Sequence, residues 1–304
     1  MPYDSIVLVK QVPDTANITA EAMKEDGTVN RSALPAIFNP EDLNALESAL
    51  EVRDRWGGTV TAISMGPPKA ADVLRSCLVR GADRAILITD RRAAASDTLA
   101  TSYILARAVQ TVGRFDIVFC GRQAIDGDTA QVGPQTAEKL GIVQITYLEE
   151  LLAIEEGVIR VRRSIGHGWE IVEARLPVLV TVLGSANAPR PPAARRVMRF
   201  KRARVPAELA AEVRAEMRDA AEAEIAAELA RREAAHRDRG LLVEQWDLDA
   251  IGADIERCGV AGSPTKVYRV QAIVLTTQGY SEVVPTEDGV RQLIHELVID
   301  RTLG

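Results

Sequence analysis

Between Gly121 and Pro134 the chain reads "GRQAIDGDTAQVGP". Two further glycines (Gly127, Gly133), two acids (Asp126, Asp128), Thr129 and Gln131 stand there with almost nothing bulky. The stretch follows an apolar run and precedes a helical pattern. Small residues let a backbone approach a ligand closely, and free amides at a helix start favour phosphate. The chemistry this pattern suits is the cradling of a nucleotide. Side-chain catalysis has little support. His167, His236 and His295 are scattered, with His167 in a Gly-His-Gly turn. GxGxxG, GxxxxGK[ST], HExxH and GxSxG are all absent. Any redox or group-transfer chemistry would have to come from a cofactor.

Such a loop needs strands and helices to hold it. Strand patterns are "SIVLVK" (Ser5–Lys10), "TVTAISM", "RAILIT" and "FDIVFCG", and helical patterns lie between them. The first helix follows Asn39 and Pro40, an N-cap and a first-turn proline, with Leu43, Leu46 and Leu50 at helical spacing. Pro68–Arg80, Asp97–Gln110 and Ala130–Leu140 are the next helices. Val158–Ser164, Trp169–Leu176 and Val178–Leu183 are later strands, two of them a hairpin feeding back into the sheet. Strands alternating with helices predict βαβ units and a mostly parallel sheet covered on both faces. Ligands of such sheets bind beyond the carboxyl ends of the strands. Four turns qualify: "KQVPDT", "SMGPPKAA", "TDRRAAASDTLATS" and the glycine-rich loop. Thr98 and Thr101 share a helix face there. A nucleotide site without a dinucleotide fingerprint and four ordinary turns both satisfy these residues.

The 304 residues are 47% apolar and 26% charged, with net charge −6. That excludes the net basic footprint of a nucleic-acid binder. No run approaches the ~20 apolar residues of a membrane span, and the N-terminus has no basic leader. Cys77, Cys120 and Cys258 are far apart, as buried, reduced thiols of a cytoplasmic protein would be. The expected organisation is a nucleotide-binding domain (1–185), a Pro-rich then basic segment (186–206), an inserted charged helix (207–239) and a C-terminal arm (240–304). The insert holds nine acids and six arginines on a thin apolar stripe. As one mostly solvated helix it would reach roughly 45–50 Å. Arg190–Arg204 carries seven cations, a surface suited to an acidic partner.

The sequence resembles the beta subunit of electron-transfer flavoproteins. "VKQVPD", "NPED", "SMGPP", "SDTLATS", "GRQAIDGDTAQVGP", "ARLPVLVTV" and "NAPR…VM" fall in the family's order. The likeness covers nearly the whole chain except 207–239. It implies a Rossmann-like three-layer α/β/α fold, similar to the adenine-nucleotide alpha-hydrolase class, and an arm wrapping an FAD-binding alpha subunit. One branch of the family holds structural AMP in this subunit. The flavin-bifurcating branch holds a second FAD. Gly127, Thr129-Ala130 and Val132 resemble the FAD version, where the AMP version carries an acid, Cys-Asn and Thr. By resemblance, Ala124 and the Asn39–Asp42 turn lie by the adenosine. Gln131, Val132 and Gly133 lie at the pyrophosphate, and Thr98, Thr101 and Ser263 toward the flavin ring. Val9, Met65, Gly66, Asp126, Asp128 and Thr129 complete the expected site. NADH is the implied donor. A dehydrogenase or quinone-linked acceptor and ferredoxin are the implied acceptors. The implied docking residues are Ala194, Arg195, Arg196 and Met198, with Ala194 where many relatives carry an anchoring leucine. An AMP-holding carrier for acyl-CoA dehydrogenases and a non-redox nucleotide module are the competing readings.

Overall fold

The computed structural model describes residues 1–14, 34–265 and 283–299. The "KVYRV" run of the expected C-terminal arm, a strand-like pattern after Thr265, lies outside them. Alternation of strand and helix is as expected in the first half. Strands β1 (Ser5–Leu8), β2 (Gln11–Pro13) and β3 (Ala36–Phe38) precede helix α1 (Pro40–Trp56). Then come β4 (Val60–Met65), α2 (Ala71–Arg80), β5 (Arg84–Ile88), α3 (Thr98–Val112), β6 (Ile117–Gly121) and α4 (Val132–Leu140). The second half holds β7 (Val143–Glu155), β8 (Val158–Ser164), β9 (Trp169–Arg175), β10 (Val178–Val182), α5 (Ala194–Phe200), α6 (Pro206–Glu216), α7 (Glu222–Asp238), β11 (Glu244–Trp246) and α8 (Glu287–Ile299).

Nine strands form one sheet in the order β11-β5-β4-β1-β6-β10-β7-β8-β9. Pairing is parallel from β11 to β7, and β8 and β9 add an antiparallel extension. The central strands are buried on both faces, because successive side chains point to opposite sides. Val7, Ile117 and Phe119 pack with Leu46, Leu50 and Leu74 of α1 and α2. Ile6, Leu8, Val118 and Cys120 pack with Ile104 and Ala137 of α3 and α4. This is the three-layer α/β/α architecture. β1 and β6 are neighbours while their following helices cover opposite faces. Their carboxyl ends therefore open a crevice at the point where strand order reverses. All three cysteines are buried and free.

Two expectations are corrected. The inserted segment is two helices, α6 and α7. Helix α6 ends at Met217, whose backbone leaves the helical region (φ −111°, ψ 44°). The chain then folds back, burying Leu209, Val213 and Ile225, while Arg232 bonds Glu216 of α6 and Glu228 of its own helix. A stripe too narrow to bury one helix is thus covered by its own return. The second correction concerns 240–265, expected in an arm. Leu241 and Val243 join one core layer, Leu248, Ile251 and Cys258 join the other, and β11 extends the sheet.

Candidate functional site

A cleft of about 380 Å³ opens at the crevice. Its floor is the ends of β1 and β6 (Leu8, Val9, Lys10, Cys120, Gly121), with Asp42 from α1 and Met65 from β4. Ser96, Asp97, Thr98, Thr101 and Leu105 form the α3 wall, and 122–124 with 127–133 form the other. Of the sequence-expected residues, Val9, Asp42, Met65, Thr98, Thr101, Ala124, Gly127, Asp128, Thr129, Gln131, Val132 and Gly133 line it together. Four others stand behind it. Asn39 is fully buried. Gly66 bonds Ile88, and a Cβ there would meet Ala70 at 3.0 Å. Asp126 pairs with Lys10 at 2.7 Å. Ser263 is buried, accepts from the Asp97 amide at 2.8 Å and donates to the Gly259 carbonyl at 2.6 Å.

Local chemistry shapes the glycine-rich wall. Asp128 and Ala130 both take positive φ, 49° and 52°, a region disfavoured by side chains and concentrated at functional sites. Helix α4 starts at Val132, and Pro134 has no amide to satisfy in its first turn. Gly133 lets α4 touch the sheet, since a Cβ there would stand 2.8 Å from Cys120 Sγ and 3.0 Å from Thr181 Cγ2. Gly127 has no such reason. A Cβ there would meet nothing within 4 Å, so its smallness leaves space in the cleft. The backbone amides of Thr129, Ala130, Gln131, Val132 and Gly133 donate to no acceptor among the described residues. Alternating left- and right-handed residues at a helix start make an anion-binding concavity.

The cations on the lining are already engaged: Lys10 with Asp126 and Arg122 with Glu41 at 3.1 Å. An anion in this cleft would be held mainly by amides. Thr98 Oγ1 donates to Gln131 Oε1 at 2.8 Å, joining the two walls. Asp97, absent from the sequence-expected set, is a lining residue. It caps α3 by accepting from the Leu99 and Ala100 amides and also accepts from Thr265. Burial acts to raise its pKa, but these amides and the Thr265 hydroxyl take it below the ordinary value. The signal was its place before "TLATS", an N-cap position. Lys10, Gln123 and Gly121 fall within the turns read as candidates but carry no signal that singles them out, and Leu105 lies in no motif.

Three of the seven cations of the basic segment are tied down, and Arg195, Arg199, Lys201 and Arg202 are exposed. Arg190 forks onto Glu47 and Asp54, and Arg204 bonds Glu212. Arg196, expected at a docking surface, is half-buried and donates to the carbonyls of Leu78 in the last turn of α2 and of Ala82 just beyond it. Burial holds its pKa below the ordinary arginine value. Ala194, Arg195 and Met198 are exposed on α5. No helix among the described residues is long and apolar enough to cross a membrane, and no group there could hold a metal ion.

Residues 26–213 match the family model described as the electron transfer flavoprotein domain. The chain is 37% identical over 292 residues to the electron transfer flavoprotein subunit beta of Clostridium acetobutylicum, covering 96% of each. It is 39% identical to the protein FixA of Sinorhizobium fredii, over 96% of this chain and 91% of that one. It is 38% identical to the caffeyl-CoA reductase-Etf complex subunit CarD of Acetobacterium woodii, over 87% and 86%. The chain belongs to the electron transfer flavoprotein family, and these relatives place its likeness with the beta subunits.

Proposed function

We propose that this chain is the beta subunit of a heterodimeric electron-transferring flavoprotein and that its cleft holds an FAD. The carrying observation is Gly127. It lines the cleft, needs no positive φ and leaves open space where a side chain would stand. The cleft also runs past the five free amides to Thr98, Thr101 and Leu105, farther than a phosphate alone requires. The residues present fit the group. The amides of 129–133 take the pyrophosphate, Ala124 and Val9 border the adenosine end, and Met65, Thr98 and Thr101 border the flavin end. FAD, when bound, supplies reversible one- and two-electron transfer. The chain's own part is to bind, orient and shield. Helix dipole and amides offset the phosphate charge, and the apolar floor of Leu8, Val9, Met65 and Leu105 excludes water from the opposite side.

NADH is the proposed donor. The proposed acceptors are a low-potential carrier of the ferredoxin type and a dehydrogenase or quinone-linked protein. The name of the Acetobacterium woodii relative, a subunit of a complex with caffeyl-CoA reductase, supports a CoA-ester enzyme among the acceptors. Helix α8 supports the obligate partner. Val290, Leu293, Ile294 and Val298 form a stripe at helical spacing, all at least 37% exposed, and such a face calls for cover. The proposed docking face for the acceptor is α5, through Ala194, Arg195 and Met198. Acid extraction of the purified heterodimer tests the cofactor reading. Two FAD per heterodimer are expected, one reducible by NADH. One FAD and one AMP would overturn it in favour of an ordinary carrier.

A further inference from the structure

Residues 121–125 leave the end of β6 before a turn in which the Gly127 and Asp128 amides donate to the Ala124 carbonyl, and their polar backbone needs partners. On one side, the Arg122 amide donates to the Val182 carbonyl of β10 at 3.0 Å. On the other side β1 pairs with β6 only as far as Cys120. The side chains at the start of α1 take its place. Asp42 Oδ1 accepts from the Gly121 amide at 2.9 Å, and its Oδ2 accepts from the Lys10 amide at 2.8 Å. Glu41 Oε2 accepts from the Gln123 amide at 3.1 Å and also holds Arg122. Asn39 Nδ2 donates to the Gln123 carbonyl at 2.9 Å, and Asn39 Oδ1 accepts from the Ile125 amide at 3.2 Å. The amides of 121, 123 and 125 recur every second residue, as on a strand edge. Three side chains, one from the N-cap and two from the first turn of α1, satisfy all of them.

We propose that Asn39, Glu41 and Asp42 are positioning residues that stand in for a strand edge along 121–125 and so aim the free amides of 129–133. Asn39 is fully buried and cannot touch a ligand. Asp42 borders the cleft, but both its oxygens are engaged by backbone. A rigid helix, anchored in the core by Leu46 and Leu50, thereby fixes a loop that has no regular structure of its own until Val132. Sites need this kind of supporting shell to hold a binding geometry. The inference rests on the nucleotide reading of the cleft and assigns these residues a role apart from ligand contact.

The test uses the full chain with its partner, freed of bound nucleotide, and titrates AMP and FAD as separate probes. Glu41 is partly exposed, so its truncation leaves the core intact. Glu41→Ala should weaken probe binding about tenfold or more, the worth of a hydrogen bond to a charged group. The melting temperature of the nucleotide-free protein should stay near the wild-type value. Glu41→Gln keeps an acceptor for the Gln123 amide and should recover most of the affinity. Asn39→Asp keeps the shape and the bond from Ile125 but loses the donor to the Gln123 carbonyl, and should bind more weakly than Glu41→Gln. Wild-type affinity in both Glu41→Ala and Asn39→Asp overturns the proposal. So does a loss in Glu41→Ala that tracks a fall in melting temperature and is not reversed by Glu41→Gln. A wild-type protein that binds neither probe overturns the nucleotide reading itself and this inference with it.

Discussion

Asp42 and Gly121 fit each other at the floor of the cleft: the carboxylate Oδ1 lies 2.9 Å from the glycine amide, and a Cβ on residue 121 would stand 2.6 Å from that same oxygen. It would also stand 2.8 Å from the Asp42 amide. The neighbour here is helix backbone as well as side chain, so relaxation is costly. Gly121→Ala is expected to destabilise the protein by about 1–3 kcal/mol, as overpacking of a well-filled core does. Urea unfolding measures this, and a midpoint equal to wild type would contradict the fit.

The same carboxylate gives a pH dependence with a definite sign. Burial pushes Asp42 up from 3.8 to about 7, against the pull of bonds from Gly121, Asn39 and Lys10 and the charge of Lys10. The folded pKa thus lies above the unfolded one. Between pH 4 and 7 the folded state binds more protons, so this group's contribution to stability is full below about pH 4 and is lost as pH rises through about 7. Asp42→Asn has no such titration. It leaves one backbone amide facing an NH₂ group, a cost constant with pH. The stability of Asp42→Asn relative to wild type should therefore improve from pH 4 to pH 8, and a flat difference in chemical unfolding would refute the assignment.

Gly127 and Gly133 read alike in sequence, as glycines that let backbone approach a ligand, and the structure separates them. Gly133→Ala would set a methyl against Cys120 and Thr181, so its loss should appear as lowered thermal stability. Gly127→Asp places its side chain in open space within the cleft and brings a negative charge near the proposed pyrophosphate. It should expel this subunit's nucleotide while leaving the melting temperature of the nucleotide-free protein and the partner's flavin in place. Acid extraction of the variant heterodimer and calorimetry on both glycine variants check the pair.

What sequence could show was the alternation. Apolar β-branched runs and capped amphipathic helices located β1, β4, β5, β6 and α1 to α4, and hence the crevice. It could not show which polar residues serve the protein itself. The resemblance places Asn39 and Ser263 at the ligand, yet their partners include backbone groups far along the chain. β7 was missed because bulges break its alternation and Glu149 and Glu150 interrupt it, both paired with Arg162 from β8. The turn between α6 and α7 carries neither glycine nor proline. Arg232, reaching Glu216 sixteen residues away, and Arg214, 4.0 Å from Glu222, tie the chain as it folds back.

That hairpin leads to a deletion test. Its attachments to the body are local: Arg75 forks onto Glu208, and the Ala207 amide bonds Gln245. None of its residues lines the cleft. A chain lacking 207–239, with a short flexible linker joining the ends, should keep the nucleotide content of the full chain, because loop length alone changes closure entropy little. Extraction of the deletion variant measures it. A fall in nucleotide content would show that the hairpin supports the site.

Arg195 and Arg196 are adjacent in sequence and divided in environment. Arg195 is exposed and, like Arg202, forms no ion pair among the described residues. Arg196 has turned inward, where Nε and Nη2 hold the Leu78 and Ala82 carbonyls at 2.7 Å each. Exposed charges steer encounters with an oppositely charged partner and are screened beyond a Debye length of roughly 8–10 Å. Arg195→Ala combined with Arg202→Ala should slow electron transfer to the acceptor at low ionic strength and flatten its salt dependence, without a change in melting temperature. Arg196→Ala should do the reverse. Loss of its two hydrogen bonds should cost about 1–2 kcal/mol of stability, while the salt dependence keeps the wild-type slope. Stopped-flow rates across ionic strength, paired with calorimetry, separate the two. Equal slopes in wild type and in the Arg195, Arg202 double variant would remove α5 as the electrostatic docking face.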